Sequence, residues 1–136
     1  MNNSSKGKLG ELFVEKYLQD QKFNVRKKVK GETGFDLVAT KKNISFTIEV
    51  KTSENLKGGI PDMHDTEFYK VADEWKFKAD YLYVVRLKNG LPFQLDILTK
   101  NEIDLYSSSH KTVTRIRTMK LDKDLHSKKL GVSIDI

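Results

Sequence analysis

Residues 34–51 constrain this chain more than any other stretch. Ile44, Phe46, Ile48 and Val50 alternate with Ser45, Thr47, Glu49 and Lys51, the two-residue period of a strand with one face in a core. That period sets Glu49 and Lys51 side by side on one face and sends the four apolar residues to the other. Upstream, Phe35-Asp36-Leu37-Val38 opens a second strand, and Lys41-Lys42-Asn43 supplies a turn between the two. Paired as a hairpin, the strands bring Asp36, at the start of one, close to Glu49 and Lys51, near the end of the other. Two carboxylates and an ammonium at one place suit a divalent metal ion and an activated water. Such a cluster costs desolvation and repulsion unless a cation offsets it. Taken alone, Glu49-Val50-Lys51 reads equally as a solvated face with a modest ion pair.

The flanking segments alternate helical and strand patterns. Residues 1–6 are polar and read as a disordered leader. Leu9, Leu12, Phe13, Tyr17 and Leu18 recur at helical spacing and predict an amphipathic helix over 8–21. Residues 23–29 read as a strand whose outer face carries Arg26, Lys27 and Lys28, and 30–34 as a glycine-containing loop into Asp36. Residues 52–61 form a loop beside the cluster, with Lys57 and the nearby His64 as candidate substrate contacts. Phe68, Val71, Ala72 and Trp75 predict a second helix over 65–78, with Trp75 in the core. Residues 81–87 form a central strand, Asn89-Gly90 a hairpin turn, and 93–98 the partner strand. A short helix over 101–106 is capped by Thr99, 112–119 is a strand with Arg115 and Arg117 on one face, and 132–136 pairs as an edge strand.

Asp36 followed by Glu49-Val50-Lys51 resembles the PD-(D/E)XK motif of the restriction-endonuclease-like nucleases, with Phe35 where that pattern has proline. Lys8-Leu9-Gly10-Glu11-Leu12-Phe13-Val14, with Tyr17-Leu18 and Lys22-Phe23-Asn24-Val25, resembles the first helix and strand of their short, single-domain, Holliday-junction-resolvase-like branch. The resemblance spans residues 7–88. It implies an α/β fold with a restriction-endonuclease-like core, a mixed β-sheet flanked by helices in αβββαβ order. The chain is then one nuclease-like domain over 1–136, with a core over 7–99 and a C-terminal extension over 100–136. The resemblance also implies a magnesium or manganese ion on Asp36, Glu49 and the Val50 carbonyl, with Glu11 facing it from the first helix. On the residues alone, Glu11 reads as readily as a surface acid paired with Lys8. Lys51 is expected to orient water and stabilise the transition state. Neighbouring carboxylates raise a lysine's pKa, which favours this electrostatic role over true base catalysis.

The expected activity is divalent-metal-dependent endonucleolytic hydrolysis of phosphodiester bonds in DNA, the nucleic acid being gripped by Arg26, Lys27, Lys28, Lys57, Arg115 and Arg117. The alternatives are an RNA-cleaving, tRNA-directed toxin-like nuclease of the same fold, or a catalytically silent nucleic-acid-binding subunit. Composition narrows the field. The chain has 136 residues, room for one domain, and a net charge of +6, which favours a polyanionic partner. It has no cysteine, which excludes disulfides, thiolate zinc sites and cysteine nucleophiles. His64, His110 and His126 lack metal-ligand spacing, and neither a Gly-x-x-x-x-Gly-Lys phosphate loop nor a Gly-x-Ser-x-Gly elbow is present. With no signal-peptide pattern or membrane-length apolar run, a soluble cytoplasmic protein is expected. Cutting both strands would require a homodimer, with the C-terminal third as its candidate surface.

Overall fold

The structure, a computed structural model, describes residues 2–56, 61, 65–107 and 129–133. Helix α1 (Asn3–Asp20) starts earlier than its apolar spacing predicts. Asn2 caps it, the side-chain oxygen accepting from Ser5 N at 2.8 Å, so residues 3–6 form its first turn and not a disordered leader. Three strands follow, β1 (Asn24–Lys27), β2 (Leu37–Lys41) and β3 (Ile44–Ser53). The predicted hairpin forms with Leu37 opposite Ile48 and Lys41 opposite Ile44. Lys42 takes a φ of 56° in its turn.

The second helix expected over 65–78 does not form. A single 3-10 turn at Asp65–Glu67 leads into a small hairpin, β4 (Phe68–Val71) and β5 (Glu74–Phe77). Phe68, Val71, Ala72 and Trp75 share a helical spacing, but Trp75 and Phe77 also alternate as a strand does, and aromatic residues favour strands. Ala72 and Asp73, at φ 49° and 66°, make the two-residue turn. Positive φ at both centres is the hairpin-compatible geometry, strained for alanine and without the usual glycine signal.

Strand β6 (Tyr81–Lys88) then pairs in parallel with β3, Glu49 lying opposite Leu82 and Lys51 opposite Val84. The Asn89-Gly90 turn, both residues at positive φ, returns the chain as β7 (Leu91–Thr99). Thr99 caps α2 (Lys100–Ser107) reciprocally: Glu102 N donates to Thr99 Oγ1 at 3.2 Å, and Thr99 N donates to Glu102 Oε1 at 3.0 Å. Strand β8 (Lys129–Ser133) completes a six-stranded mixed sheet in the order β1-β2-β3-β6-β7-β8; it is an edge strand that begins before the expected 132–136, of which 134–136 lie outside the described residues. The strand expected over 112–119 lies outside the described residues.

The sheet carries one apolar cluster on each face. Val14 and Leu18 of α1 pack on Leu37, Ala39, Ile48, Val50, Tyr83 and Val85. Val14, not Leu12, supplies this contact, and Leu12 is exposed. The other face joins Leu82, Val84 and Leu98 to Phe68 and Phe77 of the small hairpin and to Ile103 of α2. Elements beyond residue 99 therefore build the same core and sheet. Of the four apolar residues expected in the core from β3, Ile48 and Val50 are buried, Phe46 is half-buried and Ile44 is exposed at the hairpin tip.

Candidate active site

The β2–β3 pairing builds the site. Asp36 N donates to the Ile48 carbonyl at 2.8 Å, which extends the ladder one residue before β2. The Asp36 carboxylate reaches across, its Oδ2 accepting from Val50 N at 2.8 Å. Alternation along β3 then turns Ile48 and Val50 toward α1, and Glu49 and Lys51 toward the small hairpin. Asp36, Glu49 and Lys51 thus come together as the hairpin reading requires.

That face is covered, not solvated. Glu49 is 7% exposed, and the turn before β4 lays a third acid, Glu67, 5% exposed, against it. Lys51 Nζ lies 2.7 Å from Glu67 Oε2 and 3.6 Å from Glu49 Oε2. Burial raises the Glu49 pKa, and a hydrogen bond with Glu67 and the charges of Asp36 and Glu67 push it further up, against the opposing pull of Lys51. Glu67 escaped the sequence reading. It lay inside the segment read as a helix, and no spacing ties it to Glu49; its only signal is an acid directly before an aromatic strand.

Glu11 approaches from the other side. It is half-buried on α1, and its pKa is raised by burial and by the charge of Asp36, with Lys27 and Lys28 acting against this. Glu11 therefore shares the electrostatic field of Asp36, while Glu49 responds to Glu67, Asp36 and Lys51. Gly10 lets α1 approach this closely: a Cβ there would sit 2.1 Å from Thr52 Oγ1. Beside Lys51, between the first turn of α1 and the end of β3, lies an open cleft of about 470 Å³ lined by Asn3, Lys6, Gly7, Val50, Lys51, Thr52 and Pro61.

Of the basic residues expected to grip nucleic acid, the described ones are Arg26, Lys27 and Lys28, consecutive across the end of β1. Lys28 Nζ stands 3.9 Å from Asp36 Oδ1. Lys27 is exposed near Glu11. Arg26, also exposed, is engaged by Glu32, donating from both terminal nitrogens at 2.9 and 3.1 Å. Lys57, His64, Arg115 and Arg117 lie outside the described residues. Farther along the hairpin-side face, Arg86 and Asp96 are both buried, Arg86 Nε donating to Asp96 Oδ2 at 2.7 Å. Gln94 also donates to Asp96, and Arg86 NH1 donates to the Asn55 carbonyl at 2.8 Å.

Among the described residues, no group of three or more histidine, aspartate or glutamate side chains is arranged to hold a metal ion. Asp36 and Glu49 form a two-carboxylate set with only oxygen donors, which suits magnesium, an ion commonly held by one or two carboxylates and water. The Glu49 pKa is raised first by burial and then by its acid neighbours, and a bound cation would favour the ionised carboxylate there.

A UPF0102 protein of Dictyoglomus turgidum is 41% identical over 63 residues, 45% of this chain and 53% of that protein. This chain thus spans about half the length of that relative. No protein-family model matches the chain. Among solved structures, the bacterial homing endonuclease I-Ssp6803I superposes with a TM-score of 0.55 at 15% identity, covering 90% of this chain and 82% of that one. The fold is an α/β arrangement with a mixed β-sheet flanked by helices, shared with that endonuclease.

Proposed function

We propose that this protein is a divalent-metal-dependent endonuclease that hydrolyses phosphodiester bonds in DNA. The observation that carries the reading is the meeting of half-buried Asp36 and buried Glu49 across the β2–β3 pairing, with Lys51 beside Glu49, tied by the Asp36 Oδ2 contact to Val50 N at 2.8 Å. Asp36 and Glu49, with the Val50 carbonyl, are the residues to hold magnesium or manganese. Bound there, such an ion polarises a phosphoryl oxygen and acidifies water. Asp36 uses one oxygen for Val50 N, and a carboxylate has further acceptor sites. The Lys51 ammonium offsets charge that develops on the phosphoryl group. Glu11 stands on the Asp36 side, where it holds a second ion or acts on the first through water. Lys27 and Lys28 grip the backbone near Asp36, and the cleft beside Lys51 gives access. The fold shared with a bacterial homing endonuclease supports the endonuclease reading. Cleavage of both strands calls for two copies of the chain, each with one site.

Labelled duplex DNA and labelled RNA, incubated with and without Mn²⁺, test this reading. It predicts metal-dependent cleavage of DNA. Cleavage of RNA alone would move the assignment to an RNA nuclease, and binding without cleavage of either would make the chain a silent subunit.

A further inference from the structure

We infer that Glu67 is a positioning residue, holding the Lys51 ammonium in place for the reaction proposed above, on which this inference rests. Lys51 has two carboxylate neighbours at unequal distances. The 2.7 Å contact with Glu67 has the length of a charge-assisted hydrogen bond, whereas the 3.6 Å separation from Glu49 is beyond hydrogen-bond range. Lysine's four-carbon stem gives it several rotamers, and fixing it costs up to about 2 kcal/mol of side-chain entropy. A rigid partner removes that cost from the reaction step.

Glu67 is mounted to be rigid. It ends the 3-10 turn at Asp65–Glu67, and its carbonyl accepts from Lys78 N at 3.0 Å. The next residue, Phe68, is buried against Phe77 with ring centroids 5.5 Å apart. Phe77 is held in turn from α2, where Asp104 Oδ1 accepts from Phe77 N at 2.6 Å and Lys100 Nζ donates to the Phe77 carbonyl. The small hairpin is thus a bracket, fixed to α2 at its base, that presents one carboxylate to Lys51.

Geometry favours this role over simple neutralisation. A counter-charge acts from anywhere in the cluster, whereas the 2.7 Å contact with Glu67 fixes the ammonium at one place.

In uniformly labelled wild-type protein, scalar coupling across the hydrogen bond from Lys51 Nζ should appear at the Glu67 side-chain carboxylate carbon. Coupling to Glu49 in its place would overturn the inference. For Glu67→Gln, the single-turnover cleavage rate in Mn²⁺ should fall by about tenfold or more, the scale of a misplaced catalytic group. Affinity for DNA in Ca²⁺ and affinity for Mn²⁺ should stay within about twofold, because the variant displaces a group and deletes no ligand. Cleavage at the wild-type rate, or loss of Mn²⁺ binding, would contradict a positioning role. Should the wild-type protein cleave neither DNA nor RNA, the nuclease reading falls. The coupling measurement would still decide, without any variant, whether Glu67 holds Lys51.

Discussion

The two faces of β3 are both buried, and for opposite physical reasons. Ile48 and Val50 face α1 and lower the free energy by leaving water. Glu49 and Lys51 face the small hairpin, where burial of ionised groups raises it. The second face holds a further contrast. Arg86 and Asp96 are one cation and one anion, almost fully buried, with hydrogen bonds to Gln94 and Asn55 completing the set. A balanced pair of that kind is compatible with a structural role. The Glu49 cluster is unbalanced: Glu49 and Glu67 both stand against Lys51, and Asp36, with Lys28 3.9 Å away, adds its charge to theirs. Unbalanced buried charge costs stability, so its place in the fold points to function.

Four experiments break or sharpen this division of labour. Replacing Asp36 or Glu49 by alanine should lower single-turnover cleavage by about a thousandfold or more, the scale of losing a whole electrostatic element of a site. Glu49→Ala should fold, since the removal relieves repulsion, whereas Asp36→Ala also loses the bond from Val50 N and is measured where it is folded; a cleaving Glu49→Ala would erase the distinction between the faces. Lys51→Ala should cut the same rate by about a hundredfold while DNA affinity changes little. A large affinity loss with normal single-turnover cleavage would make Lys51 a phosphate-gripping residue. On the α1 face, Ile48→Ala should cost about 2–5 kcal/mol of stability in denaturant unfolding. Its cleavage rate, measured where the protein is folded, should stay near wild type.

The smallest effect is a pH dependence. The folded-state pKa of Glu49 is raised from 4.5, so above that pH the folded chain binds more protons than the unfolded one. Stability from this group therefore falls as pH rises through that window. In chelator, Glu49→Gln should melt higher than wild type at about pH 8, with the gap closing toward pH 4.5. A gap that widens on acidification would reverse the sign and contradict the surplus of negative charge.

Local rules wrote much of this fold legibly. The hairpin carrying Asp36, Glu49 and Lys51 follows from strict alternation, the β6–β7 hairpin from Asn89-Gly90, and the cap of α2 from Thr99. Residues 65–78 were misread because Phe68, Val71 and Trp75 satisfy a helical period, and the Ala72-Asp73 turn lacks the residues that announce positive φ. The burial of Glu49 was hidden for the same reason, because the hairpin that covers it was not foreseen. Glu67 was lost with it. Arg26 shows the limit from another side: a basic residue on a strand face gives no sign of the acid, Glu32, that folds back onto it. A pairing across a tight turn is legible where the turn residues announce positive φ, as Asn89-Gly90 does, and not where they are Ala72-Asp73; contacts that a crossover brings to the sheet are not written locally.

On the proposed function, the odd-numbered face of β3 holds a metal ion and the even-numbered face is core. Calorimetric titration of Mn²⁺ into wild type, Glu49→Gln and Ile48→Ala, at a temperature where all three are folded, tests it most directly. The account predicts binding to wild type and Ile48→Ala with similar affinity, and its loss in Glu49→Gln. Undiminished Mn²⁺ affinity in Glu49→Gln would contradict it.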